Sequence, residues 1–128
     1  MVLPRDRRRR AGNTSEASVP ESATIAEPVL VTVPVVADSY ANEGAKSTNF
    51  GTSWSLLSRG SVGGASYLRF VVPPAPEGKT LTSAVLKVRT TTDPTAGSIS
   101  RHTISTAADS WTESTLNWNN RPALSAAV

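Results

Sequence analysis

This sequence predicts an antiparallel all-β fold, a sandwich or barrel. Three observations carry that expectation. Serine and threonine make up 32 of the 128 residues. Short β-branched runs are set off from one another by clusters of Gly, Pro, Asn and Asp. Nowhere is the i, i+3, i+4 apolar spacing of an amphipathic helix sustained.

Taken in order, Val29-Leu30-Val31-Thr32-Val33 reads as the first strand, and Pro34 ends it or marks an edge, because proline donates no ladder hydrogen bond. Trp54 to Ser58 is a short second strand, followed by a Gly60-Ser61-Val62-Gly63-Gly64 turn. Tyr67 to Val72 alternates, with Leu68, Phe70 and Val72 on one face and Tyr67, Arg69 and Val71 on the other. Pro73 to Gly78 is a loop. Ser83 to Arg89 alternates again, with Ala84, Leu86 and Val88 toward the core and Lys87 and Arg89 toward solvent. Asp93 to Gly97 is a turn, and Ser98 to Ser105 is a strand of uncertain register. Asp109 to Asn120 holds two tryptophans among local hydrogen-bonding side chains and reads as a packed loop.

Five strands are few, since a sandwich takes about seven or eight. The expectation is therefore an incomplete sandwich that lacks its last strands, with residues 29–128 as its N-terminal part. Residues 1–28 read as a separate leader. They are polar and proline-containing, and they bury too little apolar area to offset the entropy of ordering.

Composition removes several functions. There is no cysteine, hence no disulfide, thiolate metal site or cysteine nucleophile, and the single histidine is His102. The net charge of +3 is local. Arg5 and Arg7 to Arg10 outweigh Asp6 in the leader, and the rest of the chain is close to neutral. A nucleic-acid footprint would need basic residues clustered on the folded part, so no nucleic-acid partner is expected. Neither is membrane insertion, because no apolar run reaches the roughly 18 residues of a spanning helix. The polar stretch after Arg10 lacks the apolar segment of a secretory signal.

Three stretches, in order, carry a family resemblance. They are Ala37-Asp38-Ser39-Tyr40 with Ser47-Thr48-Asn49-Phe50-Gly51-Thr52-Ser53, then Ser66-Tyr67-Leu68-Arg69-Phe70, then Ser110-Trp111-Thr112-Glu113-Ser114-Thr115-Leu116-Asn117-Trp118-Asn119-Asn120-Arg121-Pro122. Together they resemble the DNRLRE domain, also classed as carbohydrate-binding module family 96, over roughly Val33 to Ala123. The resemblance implies a jelly-roll β-sandwich, a non-catalytic role and a secreted or cell-surface bacterial or archaeal protein with neighbouring domains. It also implies strands beyond the Asn-Asn-Arg-Pro block.

Several residues can carry chemistry. Asp38, Asn42, Glu43, Thr48 and Asn49 supply oxygens within twelve residues, and calcium takes 6 to 8 such ligands. The alternative is local, since Asp, Asn and Thr in loops also bond their own backbone. The resemblance adds that jelly-roll carbohydrate modules often hold a structural calcium near such a loop. Trp118, Asn119 and Asn120 offer an indole face and amides to a sugar, or else plug one end of the sandwich. Tyr40 and Trp54 are further stacking platforms. Arg69 either projects into a groove to meet an acidic sugar or lies packed with its head group on an acid. Asp109 and Glu113 flank Trp111 as a carboxylate pair, yet nothing in their spacing makes them converge as glycoside hydrolysis requires. The expected function is polysaccharide binding without catalysis, with a structural or adhesive spacer as the alternative.

Overall fold

The structure, a computed structural model, describes residues 27–97 and 99–128 and divides between Leu30 and Val31 into two units. Apart from Glu27 and Pro28, the expected leader lies outside the described residues. From Val31 onward the chain is all-β, with a single 3-10 turn at Glu43–Ala45 and no α-helix among the described residues. Four antiparallel strands form two small sheets. Strand β1 (Val35–Asn42) pairs with β2 (Gly64–Phe70), and β3 (Ser105–Ala107) pairs with β4 (Leu124–Ala127). This arrangement is consistent with an incomplete β-sandwich.

The first strand falls one proline later than the sequence suggests. Val29 to Val33 forms no strand; β1 begins after Pro34, where every residue can donate and where Gly64 to Phe70 supplies a partner. The register sets Ala37 against Arg69, Ser39 against Tyr67 and Ala41 against Ala65, with a bulge between Val35 and Ala37. On this face β1 carries only small side chains, all buried, which leaves room for Tyr67 from β2. Trp111 and Leu116 from the later loop complete the cluster, with Ala65 and Trp118 packed at its margin. Tyr67 and Trp111 meet edge to face with ring centroids 5.9 Å apart, one of the preferred aromatic geometries. Of the two faces of the Tyr67–Val72 alternation, the one bearing Tyr67 and Arg69 is therefore the one packed against Trp111.

Other expected elements differ. Trp54 to Ser58 contributes no strand, and only an isolated bridge joins Arg59 to Gly64. The turn before β2 is present, with Val62 at a φ of 49°. The carbonyl of Val62 accepts from Arg59 Nε at 2.9 Å, which helps hold that backbone conformation. Ser83 to Arg89 is exposed throughout and unpaired among the described residues. A strand is a relation between two segments, so alternation alone does not create one. Of the strand expected over Ser98 to Ser105, Ser98 lies outside the described residues, and the strand found is Ser105–Ala107, which pairs with β4. Pro73 to Gly78, Asp93 to Gly97 and Asp109 to Asn120 are loops and turns, as their composition requires.

Candidate functional site

The loop from Asp109 to Pro122 organises the β1–β2 ribbon. Its Glu113 carboxylate accepts from the Asp38 backbone N–H at 3.2 Å. That amide belongs to the edge of β1 away from β2. Asn49 reaches the same loop from the other side, and its Nδ2 donates to the carbonyls of Glu113 (2.7 Å) and Leu116 (2.8 Å). Its Oδ1 accepts from Gly51 N–H at 3.2 Å, so both ends of the amide are used. Two segments more than sixty residues apart are thus clamped by one side chain.

Arg69 is the second fastener. Its guanidinium lies 4.6 Å from the centroid of the Trp111 ring, donates to Asp109 Oδ1 at 2.5 Å and bonds the Trp111 carbonyl. Arg69 therefore takes the packed alternative, stem against the core and head on an acid. Asp109 and Glu113 each engage in such contacts, Asp109 with Arg69 and Glu113 with the Asp38 N–H.

The amide-rich turn is locked onto itself. Asn117 N–H donates to Asn120 Oδ1 at 2.7 Å, and Asn120 Nδ2 donates to the Thr115 carbonyl at 2.8 Å. Asn119 donates from its backbone to the Lys46 carbonyl and from its side chain to Ser47 Oγ. Trp118 sits with Arg121 3.6 Å from its ring centroid and with Gly63 against its edge, where a Cβ would come within 2.6 Å. The structure brings Trp118, Asn119 and Asn120 together, but the Asn120 amide serves the turn, Asn119 bonds Lys46 and Ser47, and one indole face is covered. Tyr40 stacks on Phe50 at 4.2 Å and 13°, which likewise covers a face.

Of the five oxygen donors expected to hold calcium, Asn42, Glu43 and Asn49 make hydrogen bonds through their side chains. Asn42 Oδ1 accepts from Gly44 N–H and from the Arg59 guanidinium, both at 2.9 Å. A cation already occupies that oxygen. Glu43 Oε2 accepts from Gly63 N–H at 2.8 Å, while Asn49 is spent on the distant clamp. Thr48 donates its backbone N–H to the Ala45 carbonyl, and Asp38 lies within β1 rather than in a loop. No group of three or more His, Asp or Glu residues able to hold a metal forms among the described residues. Local turn bonding of the Asx kind is present at Asn42 Oδ1, which accepts from Gly44 N–H, and at Asn49 Oδ1, which accepts from Gly51 N–H.

Trp54 is different. It is 87% exposed and is among the residues lining an open groove. The groove is also lined by Arg69, Leu86 to Thr91 and Arg101 to Ala107. Lys87, Arg89 and Arg101 line it and form no salt bridge, the single one among the described residues being Arg69–Asp109. His102 Nδ1 lies 3.1 Å from Ser58 Oγ at the same wall. The three cations were each visible in the sequence, but nothing there showed that they share a groove with Trp54.

Tyr67 links packing to pH. Its hydroxyl donates to the Pro122 carbonyl at 3.3 Å. Burial pushes its phenol above the ordinary 10.0, and Arg121 partly opposes this. A raised folded-state value favours the neutral form, so its stabilisation is full below about pH 10 and lost as pH rises through the folded value. Thermal unfolding should therefore show a midpoint that falls above about pH 10. A Tyr67→Phe chain, less stable at neutral pH, should show a shallower fall.

No curated protein and no solved structure matches the chain. A family model does match it, that of carbohydrate-binding module family 96, over residues 29–128. The match spans both sheets, the Asn49 clamp and the Arg69–Trp111 fastener, and the chain belongs to carbohydrate-binding module family 96.

Proposed function

We propose that this module binds an acidic polysaccharide, without turnover, in the groove beside Trp54. The observation that carries the reading is the pairing of one highly exposed indole with three unpaired cations in a single groove. An indole face offers apolar area to the apolar face of a pyranose ring. Lys87, Arg89 and Arg101 would meet carboxylate or sulfate groups of the glycan, arginine with two parallel hydrogen bonds. Tyr40 and Trp118, each with a covered face, are secondary. Family membership supports carbohydrate as the ligand class. The absence of turnover rests on the engagement of Asp109 and Glu113 in structural contacts. Polysaccharide is met outside the cell, so the module acts in a secreted or surface-attached polypeptide. No helix among the described residues is long and apolar enough to cross a membrane.

Affinity electrophoresis tests this reading. Mobility should fall in gels containing a polyuronate or sulfated glycan, much less in a neutral glucan, and the retardation should weaken with salt. At 0.1 M salt, charges more than about 10 Å apart are largely screened. Equal mobility in every gel would favour the spacer instead.

A further inference from the structure

Residues 80–92 form a stretch with a strand's sequence and no strand's partner. Turns bound it on both sides, with Lys79 N–H donating to the Pro76 carbonyl and Ala96 N–H to that of Asp93. Between them, no backbone-to-backbone hydrogen bond is made among the described residues. The apolar side chains are exposed, with Leu81 at 75%, Val85 at 78% and Val88 at 76%. A segment of alternating sequence with no strand partner is a template for another strand.

We propose that this edge pairs with the same edge of a second copy, antiparallel about a two-fold axis through Leu86. In that register Leu86 faces Leu86, Ala84 faces Val88, and Thr82 and Thr80 face Thr90 and Thr92. One face of the ladder is then uncharged. On the other face Val85 meets Lys87, Ser83 meets Arg89, and Lys79 stands opposite Asp93 at each end. No like charges are directly opposed. Neighbouring registers are worse. A two-fold axis at Lys87 sets Lys87 against itself, an axis at Val88 sets Lys87 against Arg89, and one at Val85 sets Asp93 against Glu77. Like charges directly opposite across a ladder are destabilising, and threonine pairs are favourable. The contact is isologous, so it closes as a dimer rather than extending into a fibre. Leu86 to Thr91 of this edge also line the Trp54 groove. Lys87 lies diagonal to its symmetry mate, so added salt should tighten the dimer, the opposite of its effect on an acidic glycan.

Sedimentation equilibrium at about 100 µM, well above a micromolar dissociation constant, reads the assembly. The expected result is a dimer of twice the 13.4 kDa chain mass. Because the chain has no cysteine, single reporters are clean. Facing residues of an antiparallel pair lie about 4.5 to 5.5 Å apart at Cα, within disulfide reach. Leu86→Cys should therefore cross-link under mild oxidation at least about tenfold faster than Val88→Cys, which faces position 84 rather than itself. Both sites are exposed, and circular dichroism verifies the fold of each variant. A monomer at this concentration overturns the proposal. So do equal cross-linking of the two reporters, an open-ended series of larger species, or a monomer whose Ala84 to Val88 amides resist hydrogen exchange.

Discussion

Trp111→Ala should leave the chain largely unfolded at room temperature. Trp111 is 8% exposed and is one of the two large aromatics in a cluster of five buried apolar residues among the described residues. Tryptophan-to-alanine changes in cores cost about 3 to 5 kcal/mol. Loss of the Arg69 stacking removes about 0.5 to 1 kcal/mol more. A small domain has about 5 to 15 kcal/mol in total, and a core this small places the chain toward the low end. Arg69 would also keep a charge packed where an aromatic face had been. Urea unfolding followed by circular dichroism checks this. A cooperative transition close to that of the parent would show that the Asp109–Pro122 loop does not hold the ribbon together.

Gly51→Ala should lower stability by about 1 to 3 kcal/mol, the usual range for forcing extra volume into a packed site. A Cβ there would lie 2.1 Å from the Glu113 carbonyl oxygen and 2.8 Å from its carbon. The obstruction is backbone, so no side-chain rotation relieves it. Moving Glu113 pulls its carbonyl from Asn49 and its carboxylate from Asp38 N–H. An Asn49→Ala change breaks the same clamp, so the double variant should cost less than the sum of the singles. Strict additivity in chemical denaturation would contradict a shared clamp. Gly60 is the control, because nothing lies within 4 Å of a Cβ there.

The sequence was legible where structure is local. The Gly60–Gly64 turn, the proline-rich loop and the asparagine-rich turn all follow from side chains that bond or constrain their own neighbourhood. The alternation at Tyr67 located β2, although only the loop bearing Trp111 determines which face is buried. Ser83 to Arg89 alternates more cleanly than β1, yet β1 pairs and Ser83 to Arg89 does not. Pairing depends on what the rest of the chain offers, and β1 is met by Gly64 to Phe70.

The same limit explains the site. The oxygen-rich stretch from Asp38 to Asn49 has the composition of a calcium loop. Arg59 and Gly63, more than fifteen residues after Asn42, donate to the Asn42 and Glu43 side-chain oxygens. Asn49 is directed by Glu113 and Leu116, which no local pattern connects to it. For Trp118 a cue was present, since Arg121 follows three residues later and the turn brings it onto the ring. Trp54 had no such neighbour, and it is the indole left open.

Isothermal titration of a soluble acidic oligosaccharide into the parent and Trp54→Ala chains tests the central claim most directly. Trp54 makes no packing contact in the core cluster, so its removal should leave the thermal midpoint unchanged. Affinity should fall at least about tenfold, the effect of truncating an aromatic anchor at a binding hot spot. Equal affinity in the two chains, with both folded, would contradict the account and remove Trp54 and its groove as the binding site.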